Sequence, residues 1–123
     1  MPLIYKICPR ELWRDAEALG RFTGAPVDHA DGYIHFSTAD QAVETAARHF
    51  AGADDLVLVS VEADALGPAL RYEPSRGGAL FPHLYADLPL TAVRAVVDLP
   101  LGADGRHVFP HVFPDALRAG GPA

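Results

Sequence analysis

The chain has 123 residues, 50% of them hydrophobic, and a formal net charge of −6. A domain of this size buries about two-thirds of the surface its unfolded chain exposes, enough for a core without disulfides, and Cys8 has no second cysteine to pair with. Ten cations against sixteen acids, with Lys6 the sole lysine, leave no basic face for duplex nucleic acid or an anionic membrane, and no apolar run reaches the ~18 residues of a membrane span.

Residues 3–8 (L-I-Y-K-I-C) predict a first strand, and Pro9 suits the start of a helix over 10–19. In that helix Leu12, Ala16 and Leu19 recur at helical spacing with Trp13 beside them, and Gly20 is a stop signal. Residues 20–31 read as irregular, with Gly24, Pro26 and Asp31-Gly32 marking turns. Residues 33–37 (Y-I-H-F-S) predict a second strand. Its alternation puts Tyr33, His35 and Ser37 on one face and Ile34 and Phe36 on the other. Thr38 with Gln41 three residues on is a capping-box pattern for a helix reaching about Phe50, with Val43, Ala46, Ala47 and Phe50 as its apolar stripe.

Residues 56–62 (L-V-L-V-S-V-E) are nearly all apolar and predict a central strand buried on both faces. Further strands are expected over 69–73, 79–85 and 92–99, with Pro82 arguing for an edge or a bulge in the second of these. The tail repeats H-V-F-P at 107–110 and 111–114, and a short helix is expected from Asp115. Strands and helices do not alternate strictly, so the expectation is an α+β domain with a mainly antiparallel sheet and two early helices. One domain is expected over 1–123, with a core over about 3–110 and a loose end over 115–123. The start of the chain lacks a leader-like apolar stretch, and a soluble cytoplasmic protein is the expectation.

Six histidines invite a search for metal ligands. His107 and His111 are four apart, but Pro110 between them opposes a regular helix, and no metal site is assigned. His35 is more informative, because its strand face is either half-solvated surface or the wall of a pocket. Ser37-Thr38 precede a helix N-terminus, a place for phosphate or carboxylate, although capping alone explains them. Phe81-Pro-His83-Leu-Tyr85 interleaves aromatic rings with an imidazole, which suits a planar base or a packed strand. Glu73 ends a strand before a Gly-rich loop and is either a general base, a hydroxyl-orienting carboxylate or a surface ion-pair partner. Ser60 has no nucleophile elbow around it, and Cys8 reads as a small buried residue.

The segments I-Y-K-I (4–7), D-G-Y-I-H-F-S-T (31–38) with Gln41, L-F-P-H-L-Y (80–85) and L-P-L-T-A-V (88–93) together resemble the bacterial and plant family called domain of unknown function 952. The resemblance covers roughly residues 3–110. It departs at Ala86-Asp87, where many relatives carry a glycine. It implies a fold similar to the ADP-ribosylation fold, a split α+β architecture with two small sheets flanking a cleft. Enzymes of that fold hold NAD in the cleft with a His or Arg on the first strand, a Ser-Thr-Ser-like strand and a later catalytic Glu. Here His35-Phe-Ser37-Thr38 resembles the second element and Glu73 the third, while Tyr5-Lys6-Ile7 lacks the first.

The functional expectation that follows is a cleft that binds or processes NAD, ADP-ribose or a related phosphorylated nucleotide, possible cofactor chemistry being that of NAD itself. His35, Glu73 and His83 are the candidate catalytic residues. Tyr33, Ser37, Thr38, Phe81 and Tyr85 are the candidate ligand contacts. The alternatives are a non-catalytic module for a small metabolite or a protein partner, and a metal-dependent hydrolase using His35, His83 and a tail histidine. The oligomeric state is left open.

Overall fold

A computed structural model describes residues 2–110 of the chain. The second H-V-F-P copy, His111 and the expected helix from Asp115 lie outside the described residues.

β1 (Leu3–Pro9) pairs antiparallel with β4 (Leu56–Glu62), and β8 (Val93–Leu99) pairs with the other side of β4. The expected strand over 56–62 is therefore central, and six of its seven residues are buried. Its near-continuous apolar run is what a strand covered on both faces requires. Ile4, Cys8, Val57, Val59 and Val61 face one core with Trp13 and Phe22. Tyr5, Ile7, Leu56, Leu58 and Leu99 face a second core against Ala42, Ala46 and Phe109.

α1 (Arg10–Leu19) begins as expected at Pro9 and ends at Gly20, whose φ of 93° lets its N–H reach back to the Ala16 carbonyl at 2.8 Å. Trp13 and Ala16 are buried, but Leu19 is 55% exposed and is not part of the stripe. Residues 20–31 are more ordered than their turn signals suggest. β2 (Arg21–Phe22) and α2 (Pro26–Asp31) occupy them. Pro26 opens α2, the Asp28 carboxylate accepts from the Ala25 N–H at 2.7 Å, and Gly32 closes it in the left-handed region. These are start and stop signals of a helix too short to show a period.

The predicted second strand is shorter than expected. β3 (Ile34–His35) pairs with β6 (Leu80–Leu84), and β5 (Leu70–Pro74) lies on the far side of β6. Beyond β3 the chain crosses to the first sheet, where Ser37 exchanges backbone hydrogen bonds with Tyr5 at 2.8 and 2.9 Å. Residues 34–37 thus join the two three-stranded sheets. A third small sheet pairs β2 with β7 (Leu88–Pro89), where two sheets in all were expected.

Pro82 lies in the central strand of its sheet, not at the edge the sequence suggests. Its carbonyl accepts from Phe36 N at 3.0 Å. The carbonyl and nitrogen of one residue in an antiparallel strand point to the same neighbour, so the missing donor also faces the β3 side. There the ladder stops after His35. Toward β5, Tyr72↔Pro82 falls at a non-hydrogen-bonded position and loses nothing.

α3 (Ala39–His49) starts behind Thr38, whose N–H donates to Gln41 Oε1 at 3.0 Å. Gln41 also donates to the Leu80 carbonyl at 2.7 Å and ties the helix start to β6. Short 3-10 turns link β4 to β5 and β7 to β8. The result is α+β with antiparallel pairing throughout. No helix among the described residues is long and apolar enough to cross a membrane.

Candidate functional site

Strand register sorts the second three-stranded sheet into two unlike faces. His35 lies opposite His83, Arg71 opposite His83 on the other side, and Glu73 opposite Phe81, so these side chains share one face. Ile34 and Leu84, paired with each other, turn the opposite way into the core. The alternation Y-I-H-F that predicts this division is correct for Tyr33 to Phe36.

The two histidines are held by different carboxylates. His83, 3% exposed, bonds through Nδ1 to Glu73 Oε1 at 2.8 Å, and the same oxygen accepts from the Tyr85 hydroxyl at 2.7 Å. A carboxylate only accepts, so Nδ1 is the donor in this bond, and Nε2 has no partner among the described residues. Glu73 Oε2 is likewise unengaged among them. The hydrogen bonds from Tyr85 and His83 hold the Glu73 carboxyl below its ordinary value, and the same contact raises the Tyr85 phenol. Tyr33 stacks on His83 with ring centroids 4.0 Å apart and tilts against Tyr85 at 5.3 Å. The Arg71 guanidinium lies 5.0 Å from the centre of the Tyr85 ring.

His35 is clamped at both nitrogens. Nδ1 meets Asp28 Oδ1 at 2.6 Å and Nε2 meets Asp31 Oδ2 at 2.8 Å. Its ring lies 5.7 Å from that of His83. Asp28 is buried and is the hub of this side. It receives Lys6 Nζ on both oxygens at 3.0 and 2.9 Å, Ala25 N at 2.7 Å and His35 N at 3.1 Å. Lys6 Nζ also donates to the His35 carbonyl at 3.0 Å. Burial pushes the Asp28 carboxyl up, but the His35 bond, the Lys6 charge and the Ala25 N–H outweigh it and hold the group well below the usual carboxylate range.

A hollow of ≈ 330 Å³ opens beside the aromatic rings, where the end of α2 and the start of β3 meet the turn after β6. Thr23, Asp28, His29, Tyr33, Tyr85 and Asp87 are among the residues that line it, and exposed Ala86 borders it. Asp87 is itself paired with Arg21 at 3.0 Å.

Of the residues the sequence singles out, Tyr33, His35, Glu73, His83 and Tyr85 come together. Phe81 shares their face and is buried. Ser37 and Thr38 do not join them. Ser37 is 4% exposed and bonds through Oγ to Thr45 of α3 at 2.9 Å, while the Thr38 hydroxyl donates to Asp40 at 2.5 Å. Among the described residues no group of three or more His, Cys, Asp or Glu is arranged to hold a metal ion, and His107 bonds instead to the Ala53 carbonyl at 2.7 Å.

Sequence reasoning missed Lys6, Asp28, Asp31 and, apart from Tyr33 and Tyr85, the lining of the hollow. Lys6 gave a signal: a lysine on the same strand face as Ile4 and Cys8 demands a buried anion. The partner was not identifiable, because α2 reads as turns.

Fold and site together define a small α+β domain whose two larger sheets meet along residues 34–37 and whose polar sheet face pairs two histidines with carboxylates. The chain belongs to the family of proteins of unknown function DUF952, which matches residues 7–96. It is similar to protein CC0527 from Caulobacter crescentus. The crystal structure of that protein aligns with 54% identity over 85% of this chain and 92% of the other, at a TM-score of 0.82. Its solution NMR structure gives 55% identity over 86% and 91%, at a TM-score of 0.78. Both are structural-genomics targets. No curated protein matches the sequence.

Proposed function

We propose that this domain binds NAD, ADP-ribose or a related phosphorylated nucleotide and acts on its glycosidic bond, within an architecture similar to the ADP-ribosylation fold. The observation that carries the reading is the convergence of Tyr33, His35, Glu73, His83 and Tyr85, drawn from separate segments of the chain, on one sheet face. The joined sheets and a carboxylate on the later strand β5 support the fold comparison. Lys6 puts a cation on the first strand, but Asp28 engages it, and Arg71 is the cation near the rings.

On this reading Glu73 fixes Tyr85 and His83 through Oε1 and offers Oε2 to a ribose hydroxyl as positive charge grows at the anomeric carbon. His83 Nε2 takes a proton from water, the water oxygen bonds to the anomeric carbon, and the carbon–nitrogen electron pair leaves with the base. For NAD the departing nicotinamide gains that pair and becomes neutral, so no acid is required.

The test is nicotinamide release from NAD, together with thermal shift by NAD and ADP-ribose. Wild type should release nicotinamide, and Glu73→Gln should lose at least a hundredfold in rate while keeping its melting midpoint. Equal rates for the two proteins, or no release by wild type, defeat the catalytic reading. The clamping of His35 at both nitrogens and of Lys6 by Asp28 favours a second reading, a non-catalytic binding module. A thermal shift without turnover supports it.

A further inference from the structure

The hollow beside Tyr33 differs in chemistry from the His–carboxylate face that it adjoins. Its ≈ 330 Å³ lies near the bottom of the ~300–1,000 Å³ range of small-molecule sites. That is room for one ring system with part of a sugar, and too little for a dinucleotide. Among the described residues its lining includes no lysine or arginine. Its acids are already answered, Asp28 by Lys6 and Asp87 by Arg21. A phosphate would find no cation there. What the hollow offers is two phenol rings, the His29 imidazole and the polar edge of Thr23.

We propose that this hollow is a seat for a planar nitrogen heterocycle, uncharged or cationic, which packs against Tyr33 and Tyr85. Neither Ser37 nor the helix start at Thr38 takes part in it. Tyr33 borders the hollow and stacks on His83 at 4.0 Å, so one ring lies between the seated heterocycle and the imidazole. Tyr85 likewise borders the hollow and bonds to Glu73 at 2.7 Å, which sets the ring's substituent on the side of that carboxylate. Any phosphate carried by the ligand then lies outside the hollow, where Arg71 is the nearby cation. The assignment rests on the nucleotide reading only for what the heterocycle is attached to.

Two-dimensional amide NMR of the whole chain tests this, titrated separately with nicotinamide, adenine, ribose 5-phosphate and inorganic phosphate. The two heterocycles should give saturable shifts at Thr23, Gly32, Tyr33 and Ala86, and the two ringless phosphates should leave those amides unmoved. Ala86 is exposed on the rim, and Ala86→Phe should fill the seat and abolish the heterocycle shifts while the rest of the spectrum stays folded. If that variant does not fold, the wild-type map decides alone. Heterocycles that shift nothing, shifts confined to the Ser37–Thr38 side, or ribose 5-phosphate moving the four amides would overturn the seat. Heterocycle shifts in a protein that releases no nicotinamide leave the seat standing and defeat the enzyme reading. Nicotinamide release without heterocycle shifts does the reverse.

Discussion

His35 and His83 face each other across β3 and β6, yet they are embedded in different ways. The His35 side runs inward through Asp28 to Lys6, a buried ion pair on the first strand. The His83 side runs outward through Glu73 to Tyr85, which is 41% exposed. A buried ion pair is costly to break, because the partner left behind is a charge without solvent. A carboxylate one-third exposed has water as a substitute. The same pair of residue types is therefore tied into a buried ion pair on one side and into a carboxylate within reach of water on the other.

Asp28→Ala should give the largest effect. It strands the Lys6 ammonium in the core and removes the acceptor for Ala25 N and His35 N. The expected loss is about 3–5 kcal/mol, read by urea unfolding. Lys6→Met combined with Asp28→Leu should recover part of it, since removing both charges spares the desolvation penalty. A loss below about 1 kcal/mol for Asp28→Ala would erase the contrast between the two sides.

Acid should act on the same side. The Asp28 carboxyl is held below its unfolded value, so its stabilising contribution is complete above about pH 4 and is lost as pH falls below that. Urea midpoints measured from pH 5 down to pH 2 should fall for wild type. Asp28→Asn, already weakened at pH 5, should show a shallower fall. Parallel profiles for the two proteins would mean that other carboxylates set the acid limb.

Glu73→Gln should leave the urea midpoint close to that of wild type, because the side chain is one-third exposed, its partner Tyr85 reaches water and the glutamine oxygen can still accept from buried His83. Set against Asp28→Ala, this is the sharpest form of the comparison. A Glu73 variant as unstable as the Asp28 variant would make both sides structural.

The division between legible and hidden parts follows the range of the forces involved. β4 is readable because burial on both faces writes an apolar run into seven consecutive residues. The face shared by His35 and Tyr33 is readable from a strand's period of two. α2 is hidden because six residues carry no helical period, and its Pro and Gly signals also mark turns. The central place of Pro82 is hidden because it depends on which neighbour receives the missing donor, and pairing is not written locally. Asp28 is hidden for the same reason: its partner stands 22 residues away in the chain. Ser37 and Thr38 are legible as the start of a helix, whereas the engagement of their hydroxyls by Thr45 and Asp40 is not.

The smallest effect concerns Cys8, which shares the Lys6 face of β1 and is fully buried. Burial pushes its thiol up to about 11. A thiol so placed is neither ionised at neutral pH nor reachable, so iodoacetamide should leave the native protein unmodified over hours at pH 8 and label it fully in urea. Mass spectrometry reads the difference. The experiment also reports on the Lys6–Asp28 pair, because labelling requires β1 to open. Asp28→Ala should raise the labelling rate by the factor its lost stability implies, about a hundredfold or more for 3 kcal/mol, when opening is rapid relative to reaction. Glu73→Gln should leave it within about fivefold of wild type. Equal rates for the two variants would show that the interior end of the His35 clamp does not hold the first strand in place.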